Sequence, residues 1–162
     1  MSETAPLYTL RDASKTFRVG GREVRAVDGV SFEIGRGEFV AIEGPSGSGK
    51  TTLLQLLGAL DRAGGGSVQL DGRELTELDD KALTRLRSEA IGFVFQSFNL
   101  IPTLNAQENV EIAMVPRGGD KHARRTRALE LLELVGLASR ATHLPSRLSG
   151  GEQQRVAIAR AL

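Results

Sequence analysis

The chain has 162 residues, the size of about one domain, with 40% apolar residues, 25% charged residues and a net charge of +1. That balance is ordinary for a globular protein and argues against nucleic acid as its main partner. With no cysteine there is no disulfide and no thiolate metal site, which suits a cytoplasmic compartment.

No apolar run approaches the ~18 residues needed to cross a bilayer, and Met1 to Pro6 lacks the basic-then-apolar pattern of a signal peptide. The chain is therefore expected to be soluble, so any membrane role requires a partner. His122 and His143 lie in unrelated polar contexts and read as surface residues.

The N-terminal part reads as short strands. Leu7 to Asp12 and Ser14 to Arg18 are candidates, Gly20-Gly21 is a hairpin signal, and Val24 to Val27 is the return strand. Asp28-Gly29 predicts another turn. Val30, Phe32 and Ile34 then alternate with Ser31 and Glu33, the pattern of a half-buried strand. After an Arg36-Gly37 turn, the apolar run Phe39 to Ile42 reads as a buried strand.

The next eight residues, Gly44-Pro45-Ser46-Gly47-Ser48-Gly49-Lys50-Thr51, match G-x-x-x-x-G-K-[ST], the phosphate-binding P-loop. Each fixed position has a physical task. The glycines permit backbone angles and close approach that a Cβ would block. Neighbouring N–H groups can then converge into an anion-binding nest. Lys50 adds a mobile point charge for the β- and γ-phosphates, and Thr51 offers a hydroxyl to Mg²⁺. A helix follows, with Leu53, Leu54 and Leu57 on one face, and its positive N-terminal end points at the phosphates.

Gly64-Gly65-Gly66 breaks the chain, and Val68 and Leu70 form a strand up to the Asp71-Gly72 turn. A short helix is expected over Asp79 to Arg87, capped by Asp79, with Leu83 and Leu86 inward. Ile91 to Phe95 reads as a buried, parallel strand. From Ser97 onward the pattern is helical. Asn105 and Glu108 have the spacing of a capping arrangement for a helix ending at Pro116. A polar loop, Arg117 to Lys121, leads to a second helix from His122 or Ala123 to Val135, with Gly136 as its C-terminal cap. There is no internal repeat.

Leu148-Ser149-Gly150-Gly151-Glu152-Gln153-Gln154-Arg155 precedes an apolar, helix-compatible series. Free amides and a hydroxyl at a helix N-terminus suit an anion, although an ordinary serine-capped helix has the same local pattern. The run LSGGEQQRVAIARAL is similar to the signature motif of ATP-binding-cassette (ABC) ATPases. The P-loop, Gln96 and this run also follow the order found in that family, and the resemblance extends from about Leu7 to Leu162.

The resemblance implies an α/β fold: a RecA-like P-loop core with an N-terminal antiparallel β subdomain and an α-helical signature subdomain. Residues 1–96 would form the β subdomain and P-loop core, 97–150 the helical subdomain, and 151–162 the return to the core. It also implies ATP and Mg²⁺ as cofactors. Phe17 aligns with the aromatic that stacks on adenine, and a packed strand aromatic is the other reading of it. Gly44, Pro45, Ser46, Gly47, Ser48, Gly49 and Lys50 would wrap the phosphates. Thr51 and Thr52 would meet Mg²⁺ and the α-phosphate. Gln96 resembles the glutamine that contacts Mg²⁺ and water, or it is a polar residue ending a strand. Ser149, Gly150, Gly151 and Glu152 would address the ATP of a second, identical subunit arranged head to tail. Lys50 and Gln96 would serve catalysis.

Residues 92–110 resemble the macrolide-export and lipoprotein-releasing subgroup. By that likeness, Gln96 to Leu104 would meet a membrane permease, placing the protein on the inner face of the cell membrane. The cargo would be lipophilic, a peptide or a lipoprotein. Internal packing is the other reading of the apolar cluster Phe98 to Leu104. In the family the next segment ends in Asp-Glu, so the chain reads as a fragment lacking the catalytic glutamate, with little turnover of its own. A soluble relative acting on DNA or ribosomes, and a non-enzymatic nucleotide-binding fragment, are the competing readings. The first would need long insertions between Gln96 and Leu148, which the sequence lacks.

Overall fold

A computed structural model describes residues 5–162. The chain forms two compact units whose boundary falls between Leu83 and Thr84.

In the first unit, β1 (Tyr8–Val19) and β2 (Arg22–Ile34) form a long antiparallel hairpin closed at Gly20-Gly21, where both φ angles are positive (57° and 78°). The paired glycines allow the mirror-image turn whose twist matches that of the strands. β3 (Gly65–Leu70) pairs with the other side of β1, and the short β4 (Arg73–Glu74) follows across the Asp71-Gly72 turn. The strand order is β2-β1-β3-β4, entirely antiparallel. Leu10, Ala13, Val27, Val68 and Leu70 are buried, as are Leu56 and Leu57 of the helix α1 (Lys50–Leu57). The Tyr8 hydroxyl donates to the Leu57 carbonyl at 2.8 Å and ties sheet to helix. Burial pushes that phenol's pKa up.

Four expectations are corrected here. The two strand pairs read from the sequence are each one continuous strand. Asp28-Gly29 is a bulge inside β2. Between the pairs Ala13–Val30 and Lys15–Val27, β2 advances one residue more than β1. The Ser14 hydroxyl accepts the Gly29 amide at 3.0 Å and satisfies the group that the bulge unpairs. On α1 the buried positions are Leu56 and Leu57, whereas Leu54 is 54% exposed. Finally, Phe39 to Ile42 is not a buried strand: Phe39 is 96% exposed, and residues 39–43 make no backbone pairing among the described residues. A strand exists through its neighbours, and apolar content does not supply one.

The helix α2 (Asp80–Ala90) is capped by Asp79, whose carboxylate accepts the Ala82 amide at 2.7 Å. Leu83 and Leu86 are buried as expected.

In the second unit, α3 (Ala106–Met114), α4 (Lys121–Leu134) and α5 (Gly150–Ala161) enclose one core. It includes Val110, Leu131, Leu132, Leu137, Leu148 and Val156. Burying each leucine contributes about 1.5–3 kcal/mol before entropy is counted. Asn105 and Glu108 form the capping box on α3, and Asp120 caps α4. α3 stops at Met114, and a 3₁₀ turn over 115–117 absorbs Pro116. At the end of α4 the amides of Gly136 and Leu137 return to the carbonyls of Glu133 and Leu132, a Schellman closure. Ile91 to Phe95 makes no strand pairing among the described residues, and Val94 is 49% exposed, so this second buried strand is also corrected.

Candidate functional site

The P-loop is shaped by positive φ at Gly44 (151°), Gly47 (81°) and Gly49 (88°). Gly49 is also sterically obligatory, because a Cβ there would lie 1.9 Å from the Ala26 carbonyl oxygen of β2. The loop therefore rests directly on the strand backbone. Gly49 stands at the N-cap of α1 and supplies no side-chain cap. The amides of Lys50, Thr51 and Thr52 have no acceptor among the described residues, and the first internal bond runs from Leu53 to Gly49. Unpaired donors at a helix start attract an anion by hydrogen bonding and by the helix dipole.

The Lys50 ammonium lies across the loop, donating to the carbonyls of Gly44 (2.9 Å) and Pro45 (2.7 Å) and to the Ser48 hydroxyl at 3.4 Å. These are neutral acceptors, which a phosphate oxygen would outcompete as a partner for the ammonium. Beside the loop is an open cavity of about 470 Å³, lined by Arg25 to Asp28 and Val30 of β2, by Ile42 to Pro45, and by Ser48 to Lys50. Its volume is within the range of small-molecule sites. Thr51 is exposed at the start of α1, and its hydroxyl has no partner among the described residues. Phe17 is 37% exposed on the hairpin, 5.4 Å from the Lys15 ammonium, and is not among the cavity-lining residues.

The other sequence-predicted residues belong to the second unit. Gln96 is exposed in a turn after the unpaired segment and makes no hydrogen bond among the described residues. Ser149 caps α5 in a full capping box with Glu152. The Glu152 carboxylate accepts the Ser149 amide (2.8 Å) and hydroxyl (2.9 Å), and the Arg140 guanidinium at 3.2 Å. Gly150 and Gly151 follow as the first helical residues, with open space at Gly150. The bonds from Ser149, with Arg140 adding its charge, hold the Glu152 carboxyl below its ordinary value of 4.5. A depressed folded-state pKa means that this contribution is present above the ordinary value and is lost as pH falls through the folded one. Glu152→Gln is thus expected to melt earlier than wild type at neutral pH. The difference should vanish in acid below the folded pKa, and thermal melts across pH will show whether it does.

Two further residues lie within the runs 92–110 and 148–162, whose side-chain pattern gives them no role of their own. Asn109 is fully buried. It accepts the Ile101 amide at 2.7 Å and donates to the carbonyls of Ile101, Leu104 and Asn105. It thereby organises the loop after Gln96. Arg160 donates to the carbonyls of Phe98 and Asn99, both at 2.6 Å. Those two residues have positive φ, a conformation that costs about 1–2 kcal/mol per residue in a non-glycine. Among the described residues there is no cluster of metal-ligating side chains, and no helix is long and apolar enough to cross a membrane.

Residues 27–162 match the family model of the ABC transporter. The chain is 54% identical over 153 residues to an uncharacterised ABC transporter ATP-binding protein of Thermotoga maritima, covering 94% of this chain and 65% of that one. It is 51% identical to the macrolide export ATP-binding/permease protein MacB of Burkholderia pseudomallei, covering 98% of this chain and 24% of that one. The chain thus spans less than two thirds of the length of either relative. Among solved structures, a dimeric post-hydrolysis state of the ATP-binding cassette MJ0796 bound to ADP and Pi superposes with a TM-score of 0.87 at 48% identity, over 96% of this chain and 68% of that one. The P-loop seated on β2, the antiparallel sheet beside it and the serine-capped helix in its own helical unit agree with these likenesses, and the chain belongs to the ABC transporter ATP-binding domain family.

Proposed function

We propose that this chain is the nucleotide-gripping part of an ATPase subunit that powers an export transporter. The observation that carries the reading is the P-loop. Lys50 is parked on neutral carbonyls, and three uncapped amides stand at the head of α1 beside a cavity of about 470 Å³. ATP supplies the phosphoanhydride bond, and Mg²⁺ supplies charge neutralisation at its phosphates. The residues present fit both groups. Amides of Gly47 to Lys50 would hold the β-phosphate, Lys50 would reach the outer phosphates, and Thr51 and Thr52 would meet Mg²⁺ and the α-phosphate; the family likeness alone assigns Gln96 to Mg²⁺ and water. The family likeness alone assigns Phe17 to the adenine ring, since it lies outside the residues that line the cavity.

Ser149, Gly150 and Gly151 serve a nucleotide held by the P-loop of a second copy. Support comes from the free amides at the start of α5 and from the dimer of the MJ0796 cassette. Before it can donate to a phosphate, the Ser149 hydroxyl must leave the Glu152 carboxylate on which it rests. The likeness to MacB, in which ATPase and permease are one polypeptide, supports export. By the same likeness, Gln96 to Leu104 face the permease on the cytoplasmic side of the membrane. Full-length protein joined to its permease is expected to hydrolyse ATP, and Lys50→Ala is expected to stop it. Hydrolysis that survives this substitution would overturn the reading.

A further inference from the structure

The turn that carries Gln96 is held by Arg160, near the end of the run 148–162 and outside the residues assigned to phosphate. Phe98 (φ 61°) and Asn99 (φ 47°) are consecutive residues in left-handed backbone. Residues with side chains hold that region only when their surroundings over-determine it. The local bonds are few: the Phe98 amide donates to the Phe95 carbonyl at 2.9 Å, and the Asn99 amide to the Ser97 carbonyl at 2.7 Å. The Ser97 hydroxyl adds a bond to the Asn99 side chain at 2.7 Å.

The stronger restraint comes from α5. The two terminal nitrogens of Arg160 reach the Phe98 and Asn99 carbonyls at 2.6 Å each, across more than sixty residues of chain. A planar guanidinium can hold two carbonyls at once, whereas an ammonium is a point donor. Arg160 has no carboxylate partner among the described residues, and burial lowers its pKa. Its charge is therefore satisfied chiefly by main-chain oxygens. A second contact fixes the same junction. A Cβ on Gly92 would lie 2.0 Å from the Ala161 carbonyl oxygen, so the segment leading to Gln96 lies against the last turn of α5. The first turn of that helix bears Ser149, Gly150 and Gly151, and its middle is anchored by the buried Val156, Ala157 and Ala159.

We propose that Arg160 is a positioning residue. By clamping the Phe98 and Asn99 carbonyls, it fixes the orientation of the Gln96 turn to the far end of the helix that Ser149 caps. The two ends of one rigid helix then carry the signature amides and the Gln96 turn, so displacement at one is transmitted to the other. This inference rests on the ATPase reading of Gln96 and Ser149, but the clamp can be tested without turnover.

The test uses the full-length protein, with Arg160→Gln, Arg160→Lys and Arg160→Gln combined with Asn99→Gly. Amide hydrogen exchange in wild type and variants comes first. Arg160→Gln is expected to speed exchange at least tenfold in residues 95–104 while α3 and α4 keep their protection. In ATP hydrolysis the same variant should lose at least tenfold in kcat with KM within twofold of wild type. Arg160→Lys should fall between, because it reaches one carbonyl. Asn99→Gly should restore part of kcat to Arg160→Gln, since glycine adopts positive φ without a clamp.

Unchanged exchange in 95–104, or an increase spread evenly over the second unit in step with a lower Tm, would overturn the clamp. A normal kcat in a folded Arg160→Gln variant would overturn the positioning role. Should Arg160→Gln not fold, Arg160→Lys carries the same two comparisons. Absence of Lys50-dependent turnover in wild type would remove the ATPase reading and the positioning role with it, and exchange would still decide the clamp.

Discussion

Lys50→Ala is expected to weaken nucleotide binding about 10- to 100-fold, equivalent to ~1.5–3 kcal/mol for a lost charge-assisted contact. The ammonium already lies within 2.9 Å of the Gly44 and Pro45 carbonyls, so it needs only a change of partner to meet a phosphate. Alanine removes that charge and also frees the two carbonyls that Lys50 now draws together. Calorimetric titration of the full-length protein with ADP and with ATP would measure both losses. The loss should be larger for ATP, because Lys50 is assigned to the outer phosphates. Equal affinity in the two proteins would remove Lys50 from the site.

The second large effect is steric. Gly49→Ala is expected to destabilise the fold by about 3–5 kcal/mol or to expel the loop from its seat, with nucleotide binding lost in either case. Two causes act together. The residue holds φ 88°, and its Cβ would penetrate to 1.9 Å from the Ala26 carbonyl oxygen. The obstacle is strand backbone, so it cannot swing aside as a flexible side chain would. Gly47→Ala is the control: φ is also positive, at 81°, but a Cβ there meets nothing within 4 Å. That substitution should cost about 1–2 kcal/mol, the local conformational penalty alone. Denaturant unfolding of both variants separates the two terms, and equal losses would show that the contact with Ala26 is not what requires glycine.

What the sequence discloses and what it hides divide along the range of the interactions. The P-loop, the Gly20-Gly21 turn and the caps at Asp79, Asn105 and Ser149 are legible because each is closed within a few residues. Asp28-Gly29 is ambiguous for a physical reason. Positive φ at a glycine serves a turn and a bulge equally, and only the register against β1 separates them. Phe39 to Ile42 and Ile91 to Phe95 have the composition of buried strands, yet burial and pairing depend on neighbours that an apolar run does not specify. The face of α1 is ambiguous for a similar reason: Leu53, Leu54, Leu56 and Leu57 offer more than one apolar stripe, and burial takes the expected Leu57 together with Leu56 while Leu54 stays exposed. Arg160 is the least legible residue, although it stands within the run 148–162 that carries the family resemblance. It lies in a polar-apolar helical series like many others, and its partners are main-chain oxygens 61 and 62 residues away. No side-chain pattern marks such a contact.

The proposed composite site joins the P-loop of one copy to Ser149 to Gly151 of another. Sedimentation of the full-length protein with a non-hydrolysable ATP analogue and Mg²⁺ tests it most directly. Wild type is expected to associate into dimers only when nucleotide is present. Gly150→Asp, which sets a carboxylate at the open start of α5, should bind nucleotide as a monomer and fail to associate. Association that ignores nucleotide, or that Gly150→Asp leaves intact, would contradict the shared site.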